Sequence, residues 1–225
     1  MQQAAHPELP TVASVQVGRI APLGPQRVPS GFVKSAVPGP IHVVPLGLQG
    51  DEQADLSVHG GPDKAVYFYP AEHYPRWISD APRHERLLIA GGFGENITTT
   101  GLDEDSVCIG DTFRIGTAEV QVTQPRQPCF KLGLRFSDNS LGRVMMQSGR
   151  TGWYVRVLAP GTLQAGDSIL VLRRPNPRWT ISRFNRFILG RRNAMTDLAE
   201  LTLLEGLADG WRQAIVEASS GHDEH

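Results

Sequence analysis

The thiol of Cys129, in the segment Gln124-Pro125-Arg126-Gln127-Pro128-Cys129-Phe130-Lys131-Leu132, is the side chain best placed by its neighbours to do chemistry. A proline pushes the residue before it towards extended backbone, so a strand should end at Pro128. The run from Cys129 to Phe136 then reads as a short helical turn, with the thiol at its head. A helix start and two nearby cations, Arg126 and Lys131, both favour an anion there. Such surroundings favour thiolate over thiol. A thiolate is a nucleophile and a soft ligand for a heavy transition metal. The other cysteine, Cys108, sits in a strand-like run just before Gly110-Asp111 and reads as structural.

A second segment, Gly50 to Val66, contains His59-Gly60-Gly61-Pro62-Asp63-Lys64. Two adjacent glycines let the backbone turn tightly and approach a ligand, and Lys64 can reach an anion held there. The spacing is not that of a Walker loop. No Gly-x-Ser-x-Gly elbow and no Gly-x-Gly-x-x-Gly fingerprint after a strand occurs, so neither a serine hydrolase nor a Rossmann nucleotide site is supported. A cysteine–histidine hydrolase built on Cys129 and His59 has no local signature to support it.

The elements around these segments are mostly strands. Of the 225 residues 40% are apolar, the net charge is −1, and there are two cysteines. That balance supports an ordinary core and suggests neither a nucleic-acid nor a membrane partner. Two thiols do not suggest a secreted disulfide framework, and they cannot make a four-cysteine cluster within one chain. The first residues lack the cationic and apolar regions of a signal peptide, so a cytoplasmic protein is expected. Strands are expected at Val12–Val17, Gly31–Lys34, Ile41–Val44, Phe93–Thr98, Val107–Ile115, Ala118–Thr123, Trp153–Leu158 and Ser168–Leu172. Helices are expected from Pro70 to Ser79 and from Leu141 to Gln147. Past Pro175-Asn176-Pro177, a linker-like run, three more helices are expected at Ile181–Leu189, Asp197–Leu204 and Leu207–Ala218. The organisation read from this is an N-terminal extension over 1–10, a β-rich domain over 11–174, and a linker with a small helical domain over 175–225.

Several motifs in order carry a resemblance. They are Pro29-Ser30-Gly31 with Lys34, Gly47-Leu48-Gln49-Gly50-Asp51, Val58-His59-Gly60-Gly61-Pro62-Asp63-Lys64-Ala65, Tyr69-Pro70-Ala71-Glu72-His73-Tyr74, Gly92-Phe93-Gly94-Glu95-Asn96, the Cys129 segment, and Gly149 to Leu158. The chain resembles MOSC domain proteins of the YiiM-like branch. The resemblance implies a MOSC-type β-barrel with short helices, followed by a small C-terminal helical domain. It implies a molybdenum cofactor, a pyranopterin carrying the metal, with Cys129 as metal ligand and Cys129 and His59 as catalytic residues. Lys34, His59, Gly60, Gly61, Lys64, Arg126 and Lys131 are the implied cofactor contacts, and Asn96 and Gln124 are candidates for the pterin edge. The similar proteins reduce N-hydroxylated compounds such as 6-hydroxylaminopurine to amines. This chain has no sign of a second redox centre, so electrons are expected from a separate reductase. A homodimer is implied as the active unit. A rival reading stays open: a non-catalytic carrier of the cofactor, or of sulfur on Cys129.

Overall fold

The computed structural model describes residues 9–55, 60–190 and 195–220. The His59 expectation falls outside the described residues. An eight-stranded sheet dominates the chain, in the order β13(Ile169–Arg173), β9(Thr112–Ile115), β10(Ala118–Pro125), β11(Trp153–Ala159), β7(Val66–Pro70), β8(Ile97–Thr100), β1(Thr11–Val17) and β4(Ser35–Ala36). Smaller sheets pair β2(Ala21–Leu23) with β3(Val28–Ser30), and β12(Gly161–Leu163) with β5(Ile41–Val44) and β6(Gly47–Leu48). The helices are α1(His73–Asp80), α2(Phe130–Phe136), α3(Leu141–Ser148), α4(Ile181–Ile188), α5(Met195–Thr202) and α6(Asp209–Ser220).

The sheet-dominated class with short helices is as expected, but the barrel is not fully closed. Strands β1 and β13 meet through one bridge, Thr11 to Ser168, flanked by Ile169 N–H to Pro10 O at 2.7 Å and Val12 N–H to Asp167 O at 2.9 Å. Beyond that bridge they share no ladder, because β4 takes the other end of β1 through Gln16 and Val17.

Most of the neighbouring strands run antiparallel, but β7 and β8 run parallel. A parallel pair needs a long crossover. Helix α1 and a 3-10 stretch, Pro82–Leu87, supply it. This corrects the expected start of that helix. Pro70 ends β7, where its missing N–H costs little at a strand terminus, and α1 begins at His73. Two other expected strands are shorter. Residues Phe93 to Asn96 turn around a buried carboxylate before β8 begins. Val107 to Asp111 form a loop, tied by Cys108 N–H to Asp111 Oδ2 at 2.9 Å, before β9 begins. Gly31 to Lys34 is loop.

Two buried clusters organise the molecule. One packs Phe113, Ile115, Val122 and Trp153 of the large sheet and continues into the C-terminal helices through Phe184, Leu201, Leu207 and Ile215. The other is largely aromatic: Tyr67, Tyr69, Tyr74, Trp77 and Phe93 pack with Leu132, Phe136 and Met145. Leu132 and Phe136 are the inward face of α2, and burying each contributes roughly 1.5–3 kcal/mol. That packing holds the helix, and hence the residue that caps it. Among the described residues, no helix is long and apolar enough to cross a membrane.

Candidate functional site

Strand β10 sets the site. A register shift between Val122 and Gln124 breaks its ladder with β11 just before the Pro125-Arg126 corner. Such bulges re-aim side chains. The Thr123 hydroxyl stabilises this one, donating to Asp63 O at 2.7 Å and Tyr154 O at 3.1 Å. Pro128 keeps the next stretch extended. Cys129 is the N-cap of α2, with φ −109° and ψ 171°, and its carbonyl accepts from Leu132 N–H at 3.0 Å. The helical turn expected from the sequence is there, with the thiol at its head and half-buried.

Cys129 stands where two chambers meet. The inner one holds about 90 Å³, and its walls include Lys34, Asp51, Asn96, Arg126, Cys129 and Lys131. The outer one holds about 480 Å³ and is bounded by Gly60, Lys64, Gln124, Cys129, Tyr154 and part of α6. Lys64 and Tyr154 border both. The structure therefore gathers Lys34, Gly60, Lys64, Asn96, Gln124, Arg126, Cys129 and Lys131 around one cavity system. Gly61, at φ 89°, makes the turn that leads into the 3-10 stretch Pro62–Lys64. That conformation is open to glycine and strained for other residues.

The cations of the inner chamber are not alike. Arg126 is 4% exposed and has no carboxylate partner among the described residues. Its guanidinium donates to Met145 Sδ at 2.9 Å and Phe93 O at 3.5 Å, and lies 5.3 Å from the Tyr67 ring centre and 5.8 Å from that of Phe32. Burial opposes its charge, but Tyr67, Tyr154 and the Cys129 thiol around it raise its pKa on balance. The Lys131 side chain, in a residue 7% exposed, also has no hydrogen-bond or ion-pair partner among the described residues. Burial lowers the pKa of Lys64, against the pull of Asp63.

Lys34 differs. Its ammonium is ion-paired with Asp51, and both side chains are almost wholly buried. Burial lowers its pKa, and Asp51 opposes that shift. Asp51 also accepts from Gly18 N–H at 2.7 Å and from Asn96 Nδ2 at 2.9 Å. Asn96 is fully engaged in turn: its Oδ1 accepts from Tyr67 N–H at 3.2 Å, and its amide also donates to Gln16 O at 3.3 Å. Asn96 thus props the wall rather than offering a free edge, and Gln124 faces the outer chamber instead. Beneath the wall, Glu95 is fully buried and accepts from Gly91 N–H, Phe93 N–H, the Thr98 hydroxyl and Tyr74. Burial raises its pKa despite these donors.

The sequence reading missed Asp51, Tyr154 and the C-terminal helix as parts of this site. Asp51 stood in a quoted motif, but its pairing with Lys34 spans seventeen positions and has no local signal. Among the described residues no cluster of three His, Cys, Asp or Glu side chains forms a metal site. A metal held here by those residues would rest on Cys129 and on ligands that a cofactor brings.

The sequence profile of the MOSC domain matches residues 55–170, and the chain belongs to that family. Within it the chain stands with the YiiM proteins. It is 43% identical to Protein YiiM of Escherichia coli over 150 residues, 67% of each chain. The crystal structure of YiiM from Geobacillus stearothermophilus superposes with a TM-score of 0.78 at 32% identity, covering 92% of this chain and 98% of that one. A protein of Gibberella moniliformis named Reductase is 37% identical over 207 residues, 91% of this chain, but the match spans only 36% of that longer protein.

Proposed function

We propose that this protein uses a molybdenum cofactor, bound through Cys129, to reduce N-hydroxylated compounds to amines. The observation that carries the reading is Arg126. A guanidinium buried to 4% exposure, with no carboxylate partner among the described residues, lies in one chamber wall with a half-buried thiol. Buried charges are normally paired, because desolvating a lone one is costly. An anionic group in the inner chamber would supply the partner, and Lys131 and Lys64 add to the same field. The residues present therefore fit a pterin phosphate and the metal it carries. Lys64, Arg126 and Lys131 would hold the anionic parts, and the Cys129 thiolate would hold the metal.

When bound, that group supplies the two-electron chemistry at nitrogen. In balance, R–NHOH takes two electrons and two protons and gives R–NH2 and water; the N–O bond is the bond broken. The electrons come from a separate electron-transfer reductase. The relative named Reductase supports this division: its match to this chain leaves about two thirds of its own length for other parts. The chain's own residues bind, orient and desolvate. Tyr154, whose pKa burial raises, keeps its hydroxyl proton beside Arg126 and Cys129. The Lys34–Asp51 pair holds the inner wall closed.

The test is protein made in a cofactor-competent host, with a cofactor-deficient host as control. Molybdenum near one per chain is expected only from the first. With reduced viologen as donor, that protein should convert 6-hydroxylaminopurine to adenine. Molybdenum-loaded protein that reduces no N-hydroxylated compound, yet passes its cofactor to an apo-enzyme, would replace this reading with the carrier.

A further inference from the structure

The outer chamber has a wall that the Cys129 segment does not explain. Opposite Cys129 and Gln124 stand Gly210, Trp211 and Ala214, from the first turns of α6. Positions 210, 211 and 214 fall on one helix face. Two of the three are small, and a Cβ built on Gly210 meets nothing within 4 Å. The space in front of that face is therefore open. The face itself is pinned in place. Asp209 N–H donates to Asp63 Oδ2 at 2.9 Å, Arg156 pairs with Asp63 at 2.7 Å, and Ala208 N–H donates to Thr123 O at 3.1 Å. Thr123 and Asp63 are the neighbours of Gln124 and Lys64, so the wall is registered directly against the Cys129 corner. Trp211 is fixed by an edge-on contact with Phe184, with ring centres 5.2 Å apart.

The chemistry of this chamber differs from that of the inner one. Asp63 is neutralised by Arg156. The Gln124 side chain lines the cavity, is 7% exposed, and makes no hydrogen bond among the described residues. An amide with open donor and acceptor capacity at a cavity wall suits a ligand with a polar edge. Aromatic surface from Trp211 and Tyr154 suits a flat ring.

We propose that α6 is the substrate-selecting wall of this site: Gly210 and Ala214 set how large a ring system reaches Cys129, Trp211 supports its face, and Gln124 pairs with its polar edge. The proposal rests on the reductase reading for the reaction, but not for the binding. It makes Gln124 a substrate contact rather than a pterin contact.

Gly210→Phe fills the open space without strain, since Gly210 is helical and unobstructed. Val216→Phe, on the far side of the same helix and 49% exposed, is the control. The first measurement is kcat/KM for 6-hydroxylaminopurine relative to free hydroxylamine, which has no ring. Gly210→Phe should lower that ratio at least tenfold, Gln124→Leu should lower it several-fold, and Val216→Phe should leave it at the wild-type value. The second measurement is the Kd for adenine from tryptophan fluorescence, with Trp211→Phe identifying the reporter. It needs no turnover, so it decides the wall even if the reductase reading fails. Wild-type protein should bind adenine, and Gly210→Phe should bind it at least tenfold more weakly. An absence of adenine binding by wild-type protein, or equal binding by wild type and Gly210→Phe, would overturn the proposal.

Discussion

The two cysteines of this chain differ in nearly everything but their side chain. Cys108 is 1% exposed, packed under the loop that leads to β9, with its sulfur 3.6 Å from Pro177 O. Burial raises its pKa, and Asp111 adds to the shift, while Arg174 opposes it. Cys129 is half-buried at the junction of two chambers, with Arg126 and Lys131 in the same wall. A thiol inside a core against a carboxylate stays a thiol and packs like a small apolar group. A thiol at a cavity wall among cations is placed to be a ligand. Backbone geometry makes the difference: Pro125 and Pro128 carry one cysteine out of the sheet, while an Asp–backbone turn folds the other under it.

The sharpest way to break this contrast is Cys129→Ala. It should abolish molybdenum retention and all turnover, with little change in the urea midpoint, because the residue caps α2 through its backbone and no side-chain bond is lost. Metal analysis and viologen-coupled assays on the same preparation check it. Molybdenum at the wild-type level in this variant would remove Cys129 as a ligand.

The next effect concerns the cations. Arg126→Ala and Lys131→Ala should each lower molybdenum content several-fold or more, with Arg126 the larger, because neither has a counter-charge among the described residues. Arg126→Lys should restore only part, since a point charge replaces a planar fork. Lys34 should behave otherwise. Asp51→Asn strands a buried ammonium and should cost about 3 kcal/mol of stability, read from chemical denaturation. Lys34→Met with Asp51→Leu should recover part of that loss. If Lys34→Met instead lost metal as fully as Arg126→Ala without losing stability, the ion pair would be incidental and Lys34 a true anion contact.

These distinctions mark how far the sequence could be read. The helix headed by Cys129, the β-rich body and the three C-terminal helices were legible, because proline, glycine and apolar periodicity act locally. Pro70 was misassigned because a helix start and a strand end tolerate a missing N–H equally well. What Lys34 and Asn96 do was not legible. Both side chains are committed to Asp51, and that choice depends on the loop before β4, the loop after β6 and the start of β8 meeting in space. The approach of α6 to Cys129 spans about eighty residues of sequence, and no short pattern announces it.

The smallest expected effect lies at the other cysteine. Cys108→Ala removes one sulfur from a packed site and one long contact to Pro177 O, and keeps the Cys108 N–H bond to Asp111. The cost should be about 1 kcal/mol, the ordinary price of a small buried deletion. Molybdenum content should stay at the wild-type value. Because burial raises the Cys108 pKa, its thiolate is scarcer than that of a free cysteine at any given pH below the shifted value, and steric closure adds to this. Iodoacetamide at neutral pH should therefore label metal-free protein at Cys129, and Cys108 only in denaturant, as mass spectrometry of the peptides would report. Equal labelling of both cysteines in the folded protein would mean that the loop before β9 opens freely, and the contrast between the two thiols would then rest on cations alone.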